Sequence, residues 1–139
     1  MNKTVFLLVG LCAFSFCTLK VQASVPEQIL INVRTEDNHI PSDADKIELR
    51  GKLDLNAGPN DIEAGATQNN VYLYFNRNFG NVSITIYNDS GLLVYTSVVN
   101  TSMLQYVVIP ITGNSNGTYA VELDNANGFA EGYFEPRQH

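Results

Sequence analysis

Asn81-Val-Ser-Ile-Thr-Ile-Tyr-Asn-Asp-Ser-Gly-Leu-Leu-Val-Tyr-Thr96 decides the fold class. Val82, Ile84 and Ile86 alternate with Ser83, Thr85 and Tyr87, the two-residue period of a strand with one face buried. Asn88-Asp89-Ser90-Gly91 supplies turn-forming residues, and Gly91 tolerates a positive φ. A second β-rich run starts at Leu92. The stretch reads as a hairpin.

The same period recurs on both sides of it. Upstream, Val71, Leu73 and Phe75 alternate with Tyr72 and Tyr74. Lys46 to Leu55 sets Ile47, Leu49, Leu53 and Leu55 against polar neighbours and reads as one strand, with Gly51 marking a bulge. Asn56 to Asn70, which holds Gly58-Pro59-Asn60-Asp61, reads as a loop. Downstream, Leu92–Val99 is the return strand of the hairpin, and Leu104–Ile111 is a further strand ended by Pro110. Thr118–Leu123 and Phe129–Phe134 follow, joined through Asn127-Gly128, a type I′ hairpin signal. About seven short antiparallel strands with no helical stretch among them predict an all-β sandwich.

The first 23 residues read differently. Lys3, an apolar run from Val5 to Phe16 and Val21-Gln22-Ala23 have the layout of a cleaved signal peptide. The run is well short of the roughly 20 residues that span a bilayer. Residues 1–23 are therefore expected to be a signal peptide, 24–45 a polar leader and 46–135 the sandwich domain, with the chain exported to the periplasm, cell surface or medium. Cys12 and Cys17 leave with the signal, so the mature chain has no disulfide or thiol and must be held by its core. About 116 residues are enough to build one. Losing Lys3 and Lys20 takes the formal charge from −6 to about −8, which argues against nucleic acid or an anionic membrane as partner. The leader holds one strand-like run, Ile29–Val33, a candidate for self-association by addition to a sheet edge.

No catalytic constellation stands out. His39 lies in the polar leader and His139 ends the chain, neither beside a nucleophile. Asp43, Asp45, Asp54, Asp61 and Glu63 could gather at one end of a sandwich, yet no calcium-loop spacing is present. A glycosidase needs two acids about 5–10 Å apart in a cleft, and nothing in this short, tryptophan-free chain signals such a groove. No catalytic, metal-binding or cofactor-binding residue is therefore assigned. The candidate ligand-binding residues are Tyr72, Tyr74 and Tyr87, aromatic side chains on strand faces opposite the presumed core. Tyr119, two residues after Gly117, is a candidate tyrosine corner.

Lys46-Ile-Glu-Leu-Arg-Gly-Lys52, Val71-Tyr-Leu-Tyr-Phe75, Val82-Ser-Ile-Thr-Ile86, Ser90-Gly-Leu-Leu-Val-Tyr95 and Gly117-Thr-Tyr-Ala-Val-Glu-Leu123 together resemble the small exported immunoglobulin-like proteins of unknown function common in Bacteroides-type bacteria. The resemblance implies an immunoglobulin-like β-sandwich and export, and it transfers no catalytic residue. The hairpin and Gly-x-Tyr-x-Val are also similar to C-terminal sorting domains of type IX secretion cargo, although Gly132-Tyr-Phe-Glu-Pro-Arg-Gln-His139 lacks their basic final strand. The resulting expectation is a non-catalytic domain that binds or scaffolds a surface protein or glycan. A sorting domain ranks second and a small carbohydrate-active enzyme last.

Overall fold

The computed structural model describes residues 39–111 and 117–136. The expected signal peptide, Ile29–Val33 and His139 lie outside the described residues.

Nine strands occur among them: β1 (Asp45–Lys46), β2 (Arg50–Lys52), β3 (Ile62–Ala66), β4 (Asn70–Phe75), β5 (Asn81–Tyr87), β6 (Leu93–Asn100), β7 (Tyr106–Pro110), β8 (Tyr119–Asn125) and β9 (Gly128–Phe134). They form a four-stranded sheet in the order β1-β3-β4-β7 and a five-stranded sheet in the order β2-β9-β8-β5-β6. Every pairing is antiparallel. The chain crosses between sheets after β1, β2, β4, β6 and β7.

The core lies between the sheets, where the alternating residues of the sequence meet. Val71, Leu73 and Phe75 of β4 and Val107 and Ile109 of β7 face Val82, Ile84 and Ile86 of β5 and Val121 and Leu123 of β8. All are fully or almost fully buried. Each such side chain stabilises the fold by about 1.5–3 kcal/mol through removal from water. The opening hairpin is present as β5–β6. Its turn is closed by Gly91 N–H donating to Asn88 O at 3.0 Å, and by Asn88 Oδ1 accepting from Ser90 N–H at 3.0 Å and Leu92 N–H at 2.9 Å. Gly91 takes a φ of 74°.

Three local expectations are corrected. Lys46–Leu55 is not one strand. Asp45–Lys46 pairs with β3 in one sheet, and Arg50–Lys52 pairs with β9 in the other. Ile47 and Leu53 are buried in the same core from both halves, so the alternation carries across the change of sheet, but it ends there: Leu55, expected to continue it, lies beyond β2 and is 89% exposed. Gly51 sits within β2 at a φ of 97°, and a Cβ there would lie 2.3 Å from the Phe129 carbonyl oxygen. Its role is a tight, left-handed edge pairing.

The expected loop over Asn56–Asn70 contains β3, which brings the tally to nine strands where about seven were predicted. Ile-Glu-Ala-Gly-Ala has little intrinsic strand preference. It is a strand because β4 pairs along its whole length and Ala64 and Ala66 are buried.

The β8–β9 hairpin exists, but its loop residues are Ala126 and Asn127, because Asn125 pairs with Gly128. No described non-glycine residue has a positive φ, so the loop is not type I′. Asn125 shapes it instead, its Oδ1 accepting from the N–H groups of Asn127 and Gly128, both at 2.9 Å.

Candidate functional site

Tyr72 and Tyr74 project from the outer face of the four-stranded sheet and meet there with Tyr106 of β7. Tyr106 pairs with Tyr74 in register. Its ring stacks on Tyr72 at 6.4 Å and tilts against Tyr74 at 6.4 Å. The chain itself covers part of this row. The His39 ring stands edge-on to Tyr74 at 6.4 Å, and the Tyr106 hydroxyl donates to the His39 carbonyl at 3.4 Å. Ile40 then packs over Gly65, where a Cβ would come within 2.6 Å of Ile40 Cγ2. A turn with Ala44 N–H donating to Pro41 O at 3.0 Å delivers the chain into β1. Burial, with Tyr72 adding to it, pushes the Tyr106 phenol above its ordinary pKa. Tyr74 and Tyr106 thus hold His39, while Ile40 and Ala44 lie against Gly65 of β3.

Tyr87 is on the other sheet. The three candidate tyrosines therefore do not share one surface. Tyr119 is buried and stacks on Phe134 at 5.5 Å.

Of the acidic residues, Asp54 and Asp61 converge, on an internal cation. Arg77 reaches Asp54 and Asp61, each at 3.3 Å, and donates to the Asn56 carbonyl at 3.3 Å. Its guanidinium also lies 5.5 Å from the centre of the Phe79 ring. Asp61 accepts the Gly58 N–H at 2.8 Å, and that bond, with Arg77 beside it, holds the carboxyl below the usual range. Glu63 accepts from Asn76 at 3.0 Å. Arg77 thus supplies the positive charge that a metal ion would bring. Among the described residues no group of three or more His, Cys, Asp or Glu side chains is placed to hold a metal.

The outer face of the five-stranded sheet is more open. Register places Leu93, Tyr87, Ala120 and Tyr133 side by side across β6, β5, β8 and β9. The adjacent row is Thr96, Thr85, Glu122, Glu131 and Arg50. The row beyond it is Val98, Ser83, Asp124, Phe129 and Lys52. Tyr87 and Tyr133 thus stand two strands apart, about 10 Å at the backbone, with only the Ala120 methyl between them. Tyr133 is 57% exposed, and its hydroxyl donates to Glu131 Oε2 at 3.5 Å. Beside Tyr133 a hollow of about 410 Å³ is lined by Asp45, Lys46, Thr118, Phe134 and Glu135. Chemically, this face offers flat aromatic sides and a row of carboxylate and hydroxyl acceptors.

The family model described as a domain of unknown function, DUF3244, matches residues 46–136. The chain belongs to the DUF3244 family. A solved DUF3244 protein from Bacteroides vulgatus, described as an immunoglobulin-like β-sandwich, is similar in structure with a TM-score of 0.58 at 21% identity. The similarity covers 68% of this chain and 99% of that one. At that identity the likeness establishes the fold, which is immunoglobulin-like as the sequence resemblance implied. No curated protein matches the chain. Among the described residues no helix is long and apolar enough to cross a membrane.

Tyr106 and Tyr133 were not singled out in the sequence, although each alternates with a core neighbour and could have been. What no periodicity supplies is which strands are adjacent, and adjacency decides which tyrosines meet.

Proposed function

We propose that the mature chain is an exported, non-catalytic binding module that holds a cell-surface glycan on the outer face of its five-stranded sheet. The observation that carries this reading is the Tyr87–Ala120–Tyr133 row with Glu122 and Glu131 in the next row. Aromatic sides stack against the apolar faces of sugar rings, and carboxylates accept hydrogen bonds from sugar hydroxyls. Tyr74 serves the domain itself by holding His39, and Tyr72 by stacking on Tyr106. Export is supported by the basic start, short apolar run and small-residue site of the first 23 residues.

A glycan array tests the reading, followed by titration of the best hit. Tyr87→Ala and Tyr133→Ala should each weaken binding about tenfold, or about 1.4 kcal/mol, with the melting temperature held. Tyr72→Ala should leave affinity unchanged. Binding that survives both of the first substitutions overturns the site. Recovery of an unprocessed amino terminus from the cytoplasm overturns export.

A further inference from the structure

Four strands end the two sheets, and three of them are protected. β1 is two residues long with Asp45 and Lys46 exposed, and β2 is three residues long with Arg50, Lys52 and the left-handed Gly51. β7 ends in Pro110, which has no N–H to offer a neighbour. Short length, charge and proline are the usual devices that keep an edge from pairing.

β6 has none of them. It is eight residues long, Leu-Val-Tyr-Thr-Ser-Val-Val-Asn, with no charge and no proline. Among the described residues only β5 pairs with it. Thr101 N–H donates to Gly80 O, so Val99, Ser97 and Tyr95 bond towards β5, while the backbone groups of Thr96 and Val98 point to the free side. Of the seven large apolar side chains that are exposed among the described residues, four lie on or beside this strand: Leu92, Leu93, Val98 and Met103.

Charge selects the occupant. From Asn81 to Leu104 the chain carries one charged residue, Asp89, although its net charge is −6. A second copy of so acidic a chain is repelled where carboxylates cluster and meets little repulsion along this hairpin. An uncharged strand that alternates Thr96 and Val98 on its outer face is also self-complementary. With a two-fold axis near Ser97, Thr96 of one copy lies opposite Val98 of the other, the isologous geometry of a cyclic dimer.

We propose that two copies of this chain associate through antiparallel pairing of their β6 edges, joining the two five-stranded sheets into one. The pairing stands apart from any glycan, and it is measured without one.

The test is sedimentation of the exported full chain from low to high micromolar concentration, with amide hydrogen exchange across the same range. The expected result is a concentration-dependent species of twice the monomer mass, with the Thr96 and Val98 amides protected only where it forms. Val98→Lys and Thr96→Pro should each abolish it while the circular dichroism spectrum is retained. Three outcomes overturn the proposal: a monomer throughout, a dimer in which these amides stay unprotected, or protection that is independent of concentration and lost when residues 24–38 are deleted. The last would identify Ile29–Val33 as the occupant of the edge.

Discussion

The hydroxyl of Thr101 accepts the backbone N–H of Phe79 at 2.7 Å, and donates to the Gly80 carbonyl at 3.0 Å. Thr101 is the one fully buried polar side chain among the described residues. It fastens the crossing from β4 to β5 onto the end of β6, so it couples the two sheets through a single oxygen. Thr101→Val keeps the shape and removes the acceptor, leaving the Phe79 N–H unsatisfied in the interior. The expected loss is about 1–3 kcal/mol in urea unfolding. Thr101→Ser, which keeps the hydroxyl and loses only the methyl, should cost less, and a Thr101→Val variant as stable as the parent would show that the hydroxyl contributes nothing.

Gly65 and Ile40 occupy one space. Gly65→Ala should cost about 1–3 kcal/mol by overpacking, because the new Cβ meets Ile40 Cγ2 at 2.6 Å and Ala44 Cβ at 3.3 Å. In an Ile40→Ala background the same substitution should cost less than half as much. Additive losses would show that residues 39–44 do not press on β3 in solution.

Asp61 sets an acid limit. Its folded carboxyl titrates below the ordinary value of 3.8, chiefly through the Gly58 N–H. A depressed carboxylate contributes stability that is complete above the unfolded pKa and is lost as pH falls through the folded one. The native protein should therefore lose stability below about pH 4, and Asp61→Asn should flatten that part of the profile. The melting temperature against pH decides it.

Tyr95 sets an alkaline limit. Its phenol is buried, which raises its pKa above 10.0, and the hydrogen bond with Ser97 only partly offsets this. A raised phenol contributes stability that is present below the unfolded pKa and is lost as pH rises past it. Stability should fall above about pH 10, with a shallower slope in Tyr95→Phe. An unchanged slope would assign the alkaline limit to other groups.

Wherever a strand is half buried and rich in branched or aromatic residues, the sequence reveals it. β4, β5 and β8 were readable for that reason, as was the hairpin that joins β5 to β6. β3 was not, because Ala64, Gly65 and Ala66 are small to admit Ile40, Ala44 and the core, and smallness mimics a loop. The change of sheet between Lys46 and Arg50 was hidden for the opposite reason. Both halves feed one core, so the alternation of Ile47, Leu49 and Leu53 looks the same whether or not the strand breaks. The surface was the least legible level. Tyr72, Tyr74 and Tyr87 are equivalent as letters, and only strand order puts two of them beside Tyr106 and the third beside Ala120.

The pairing of Arg50 with Glu131 has a mechanical consequence. Since β2 and β9 run antiparallel, Lys46, four residues before β2, and Glu135, just after β9, stand at the same end of the sandwich, where both line one hollow. A pull applied through those two points would part β2 from β9 like a zipper, one hydrogen bond at a time, without sliding them past each other. Tension between those two points would therefore load the β2–β9 pairs in turn, once β1 and Ile47 had let go of β3. Two attachments there would also leave the opposite end, with the Arg77 knot and the β8–β9 turn, facing away from whatever holds it.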